Sequence, residues 1–85
     1  MNGPDLLAHA AGLVSRRRRE YGEPLEVFEA VAKRWSLTLG SEVSPGQVVL
    51  CLIDLKLARL ARDQKHFDSV ADVAGYAAVL QELNR

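Results

Sequence analysis

The chain has 85 residues, enough for one small domain and too few for separate catalytic and regulatory halves. Apolar residues make up 48%, which excludes a disordered chain, while 11 basic and 11 acidic residues cancel, which argues against a dedicated nucleic-acid binder and removes self-repulsion as a barrier to association. One cysteine excludes an internal disulfide and leaves no Cys/His set with zinc spacing, a pattern suited to the reducing cytoplasm.

The apolar stretch Leu6 to Val14 is too short to span a membrane. Positive charges follow it, the reverse of a secretory signal. The spacing predicts a first helix over Pro4–Glu20, with Pro4 and Asp5 in the first turn and Leu6, Ala10, Leu13 and Val14 as its apolar stripe. Arg16 to Arg19 fill its last turn, a run that reads as a solvated helix end with contact to nucleic-acid phosphates as the alternative, and Gly22 stops it. A second helix is predicted from Glu23-Pro24 to Leu39. Leu25, Phe28, Ala32, Trp35 and Leu39 form its core face, with Glu26, Glu29 and Lys33 on another.

The third helix has the clearest start. Ser44-Pro45-Gly46-Gln47 is a capping-box pattern with proline at the first helical position. The helix runs to Arg62 and is apolar on nearly every side from Val48 to Ala61, Cys51 included. Such a helix is expected to be buried all round. Three other helices can hardly cover it, so a partner subunit is expected to supply the rest. After a polar link, Asp63 to Phe67, a fourth helix is predicted from an Asp68 N-cap to Asn84, with Val70, Val73, Ala74, Ala77 and Leu80 facing the core. Strand and hairpin signals are absent. Residues 1–85 are thus predicted to form a single all-α domain of four helices.

Charges within apolar helices are the informative residues. Lys56 and Arg59 are three apart on one face of the third helix, and Asp54 lies ~200° from Lys56. Glu26 and Glu29 share a face of the second helix, and Asp68, Asp72 and Tyr76 share one of the fourth. Two carboxylate pairs on facing helices are an ordinary way for a bundle to hold a divalent metal, and oxygen ligands suit Mg²⁺. Lys56, Arg59 and His66 then suit the phosphates of a nucleotide, with His66 as a donor near neutral pH. The competing reading is structural: Lys56 and Arg59 pair with Asp68, Asp72 or a glutamate and fix the helix register. No Ser/His/Asp set and no glycine-rich phosphate loop is present.

The order Arg18-x-x-Tyr21-Gly22-x-Pro24-Leu25-x-x-Phe28, then Trp35, then Leu55-Lys56-x-x-Arg59-Leu60, then Lys65-His66-x-Asp68-Ser69-x-x-Asp72-x-x-Gly75-Tyr76-Ala77 resembles a group of short phage and prophage proteins of uncharacterised function. The resemblance runs from Leu6 to Leu83. That group is similar to nucleotide-modification-associated phage domains and, more distantly, to the all-α MazG-type nucleoside triphosphate pyrophosphohydrolases. The resemblance implies a compact MazG-like four-helix arrangement completed as a dimer or tetramer, in the cytoplasm of a bacterial host. It also implies Mg²⁺ held by a Glu-Glu-x-x-Glu and a Glu-x-x-Asp motif. Glu26-x-x-Glu29 matches part of the first motif, and Asp72 matches the aspartate of the second, with Asp68 one residue from the missing glutamate. Leu25 and Ser69 stand where the motifs have glutamates, so the ligand set is thinner than in those enzymes.

Three functions follow as expectations. The first is a phage-type nucleotide-handling protein that hydrolyses a nucleoside triphosphate with Mg²⁺ at Glu26, Glu29, Asp68 and Asp72. In it Lys56, Arg59 and His66 bind phosphate, and Tyr21 and Tyr76 contact the nucleotide. The second is a nucleotide or cyclic-nucleotide binding protein without catalysis. The third is a structural or regulatory interaction module whose charges are ion pairs.

Overall fold

The computed structural model describes residues 1–85 and contains four α-helices and no strand. They are α1 (Gly3–Tyr21), α2 (Pro24–Leu39), α3 (Pro45–Arg62) and α4 (Phe67–Leu83). Local chemistry sets most of the boundaries. Asn2 caps α1, its side-chain oxygen accepting the Asp5 N–H at 2.8 Å. Gly40 takes the left-handed conformation that ends α2 (φ 68°), where a side chain would strain the backbone. The Ser36 hydroxyl accepts the Val43 N–H at 2.9 Å and so ties the next loop back onto α2. The capping box of α3 is formed: Gln47 N–H donates to Ser44 Oγ at 3.1 Å, and Ser44 N–H donates to Gln47 Oε1 at 2.9 Å.

The start of α4 differs from expectation. Its N-cap is His66, not Asp68: the His66 ring nitrogen Nδ1 accepts the Ser69 N–H at 3.3 Å and lies 2.8 Å from Ser69 Oγ. Asp68 instead sits inside the first turn, where its charge complements the helix dipole.

α4 is the centre of the fold and packs against α1, α2 and α3, while α2 also packs on α3. Its buried residues are Ser69, Ala71, Asp72, Gly75 and Val79. The expected core positions Val70, Val73, Ala74 and Leu80 are only half-buried, and Ala77 is exposed. Helices cover α4 on several sides, so its buried strip follows small and polar residues that a hydrophobicity reading passes over. On α1, Ala10 is buried and Leu6, Leu13 and Val14 are half-buried, as the stripe predicts. On α2, Ala32, Phe28 and Trp35 turn inward, but Leu25 and Leu39 stand at the helix ends and are exposed.

Only Val48 and Val49 of α3 are buried. Cys51, expected inside, is exposed, as are Leu50, Leu55 and Leu57. The helix is therefore covered on one side only. The molecule as a whole is thin, with extents of 41 × 30 × 21 Å and nine buried residues of 85. Its accessible surface is 5987 Å², against about 5,000 Å² for a compact monomer of its 9.4 kDa mass.

Candidate functional site

Asp72 joins three helices. From the buried side of α4, its Oδ2 lies 3.0 Å from Lys56 Nζ on α3 and its Oδ1 lies 3.2 Å from Arg17 Nη2 on α1. Lys56 and Asp72 side chains are both largely out of solvent. Burial raises the Asp72 pKa, but the hydrogen bonds and charges of Lys56 and Arg17 outweigh it and hold the carboxyl below its ordinary value.

The neighbouring Arg18 turns to the far end of α4. Its Nη2 donates to Glu82 Oε2, and its Nε lies 3.7 Å from Glu23 Oε2. The Glu82 hydrogen bond and charge hold this guanidinium above its ordinary pKa. Arg18 Nε is shielded from solvent and makes no hydrogen bond.

Between the end of α1, the start of α2 and the middle of α4 lies a cavity of about 310 Å³. Val14, Arg17, Arg18, Tyr21, Phe28 and Tyr76 are among its lining residues. The Arg17 guanidinium carbon stands 6.0 Å from the centre of the Tyr76 ring, at the outer limit of a cation–π contact. The cavity lining thus combines aromatic rings from three helices with two arginines. Gly75 also lines it, and a Cβ there would make only ordinary van der Waals contact with Val14 Cγ2, at 3.7 Å.

A smaller polar hollow of about 230 Å³ lies on the other side of Arg17. His9, Leu13, Arg16, Arg17, Asp68 and Asp72 line it. The His9 ring meets Phe67 edge-on, with centroids 5.0 Å apart.

The residues singled out in the sequence fall into separate places. Tyr21 and Tyr76 share the cavity of about 310 Å³. Asp68 and Asp72 share the polar hollow, whereas Glu26 and Glu29 lie on the exposed side of α2, where Glu29 lines a separate open hollow of about 730 Å³ with Lys33 and Glu42. No group of three or more His, Cys, Asp or Glu side chains stands close enough to hold a metal ion. The four carboxylates therefore do not form one Mg²⁺ cage within the chain, and both Asp72 oxygens already meet cations. Lys56 is one of those cations and faces neither cavity. Arg59 is exposed and forms no ion pair, and the His66 ring caps α4.

Sequence reasoning missed Arg17 and Arg18 because the run Arg16 to Arg19 reads as one solvated helix end. The signal lies in the period. Ala10, Val14, Arg17 and Tyr21 follow one another at steps of four, three and four, so Arg17 and Tyr21 continue the face of α1 that turns toward α4 at Ala10 and Val14.

Residues 5–84 match the model of a family described as a domain of unknown function (DUF6378). The "Gene 55 protein" of Mycobacterium phage L5 is 38% identical over 69 residues, covering 80% of this chain and 44% of that protein. The "Gene 55 protein" of Mycobacterium phage D29 is 34% identical over 79 residues, covering 92% of this chain and 52% of that protein. The chain spans about half the length of these curated relatives. No solved structure matches it.

Proposed function

The chain belongs to the DUF6378 family, and we propose that this phage-type helical protein binds a nucleotide without turning it over. The observation that carries the reading is the convergence of Tyr21, Tyr76, Arg17 and Arg18 on one cavity. Every base has a π-face, so aromatic rings accept it by stacking. Guanidinium groups match phosphate oxygens in pairs. The cavity volume is at the lower end of the range for small-molecule sites, which suits a mononucleotide or cyclic nucleotide. Arg18 Nε, shielded and without a hydrogen-bond partner, is a donor that a ligand oxygen would satisfy.

Capture is favoured over hydrolysis because the acidic residues do not gather. Asp72 is neutralised by Lys56 and Arg17, and Glu26 and Glu29 stand apart from it. In this reading the four helices are a MazG-like arrangement that retains a nucleotide cavity without an acidic cage. The protein acts as a homo-oligomer in the cytoplasm of the phage host.

Differential scanning calorimetry with nucleoside mono- and triphosphates and cyclic nucleotides, with and without a chelator, tests the reading. A ligand at about 100 times its dissociation constant adds ~2.7 kcal/mol of stability. The expected result is a shift that persists in the chelator and disappears with Tyr21→Ala. Tyr21 is 70% exposed, so its loss leaves the core intact. No shift with any nucleotide overturns the proposal.

The alternative of a purely structural module is favoured by one observation: three cations and three carboxylates around α4 already pair (Lys56, Arg17 and Arg18 with Asp72, Glu82 and Glu23). It predicts no nucleotide binding at all.

A further inference from the structure

Leu50, Asp54, Ala58 and Arg62 follow one another at steps of four along α3, and all are exposed. They form one ridge on the side of the helix that faces away from α4. Leu55 and Leu57 flank the ridge, each about half exposed. Asp54 thus stands among leucines, Arg62 closes the helix beside Asp63, and both enter none of the chain's ion pairs. They lie four residues to either side of Ala58, about 6 Å along the helix axis in each direction.

That spacing is self-complementary. A two-fold interface brings residue i against j and j against i. When two copies of α3 cross antiparallel with the axis at Ala58, each Asp54 comes opposite Arg62 of the partner subunit. Alanine at the crossing point allows a close approach, and the leucines beside it close over the two charge pairs. We propose that the outer face of α3 is the docking surface for a second copy of this chain, crossing antiparallel at Ala58 with two Asp54–Arg62 pairs between subunits.

The area agrees with the charges. The chain exposes about 1,000 Å² more than a compact monomer of its mass, and a standard interface buries about 800 Å² on each partner. The radius of gyration, 13.6 Å, also exceeds the ~12 Å of a compact 85-residue domain. No residue of α3 lines the Tyr21–Tyr76 cavity, so the pairing leaves it open and stands independently of the nucleotide reading.

Sedimentation equilibrium without nucleotide tests the proposal. The wild-type chain is expected at twice its 9.4 kDa mass. Asp54→Arg and Arg62→Asp each set like charges opposite one another twice, and each is expected to raise the dimer dissociation constant about tenfold or more. An equimolar mixture of the two variants sets opposite charges together again and is expected to restore the dimer. Rescue in the mixture also shows that both variants fold, which circular dichroism checks separately. A wild-type monomer at all concentrations overturns the proposal and leaves the face to a different protein. A dimer indifferent to both substitutions, or variants that stay monomeric when mixed, overturns it as well.

Discussion

Asp72 is the residue on which α1, α3 and α4 converge, and its removal and its protonation have separate consequences. Replacing Asp72 by Asn leaves Lys56 shielded without a counter-charge, and a buried pair broken in this way costs about 3–5 kcal/mol. Exposure of the Arg17 end places the expected loss near 3 kcal/mol in urea unfolding at neutral pH. Lys56→Met is expected to cost less, since Asp72 keeps Arg17 and the methionine fills the same space. The acid side follows from the direction of the pKa shift. Asp72 has a lower pKa folded than unfolded, so its stabilisation is complete above the unfolded value of about 3.9 and is lost as pH falls from there through the folded value. The stability gap between wild type and Asp72→Asn should therefore be constant from pH 7 to about pH 5 and narrow below about pH 4. The Lys56–Asp72 contact was legible as one of two readings, because helical spacing gives the face of each charge but not which faces meet. Arg17 was illegible for a different reason: composition treats four consecutive arginines as one group, while the helix turns each by ~100° and sends only some inward.

At the scale of the helices, the sequence signals for starts and stops hold where the device is complete within a few residues. The Ser44–Gln47 box and the positive-φ glycine at position 40 are such devices. The start of α4 was misread because histidine is not an ordinary cap, and its ring reaches the Ser69 N–H from the position where Asp68 was expected to act. This gives His66 a role in capping α4, outside the lining of the Tyr21–Tyr76 cavity. His66→Ala is expected to cost about 0.5–1 kcal/mol, as loss of an N-cap does, and to speed amide exchange in the first turn of α4. Nucleotide affinity should stay the same, measured by calorimetric titration. A large loss of affinity with unchanged exchange would reverse that assignment. Gly40→Ala supplies the matching control: nothing lies within 4 Å of a Cβ there, so its expected cost of about 1 kcal/mol comes from the left-handed backbone alone.

Across the whole molecule, the over-apolar character of α3 was the one property the sequence announced. Its consequence appears only in three dimensions, where a flat arrangement centred on α4 covers one side of α3 and leaves the other open. A chain with nine buried residues has little core from which to draw stability. If the second copy supplies the missing cover, folding and association are one equilibrium, and the melting temperature depends on protein concentration. Each tenfold rise in concentration contributes about 1.4 kcal/mol to the dimer. For two chains unfolding together that corresponds to a rise of about 3–5 °C in melting temperature. Asp54→Arg should melt lower and with a flatter concentration dependence, because the repelled pairs weaken the dimer that links the two processes. Tyr21→Ala, on a cavity that α3 does not line, should keep the full wild-type slope while losing its response to nucleotide. The two variants thus test the proposed pairing and the proposed nucleotide cavity separately, and equal slopes for wild type and Asp54→Arg would place the source of stability inside the single chain.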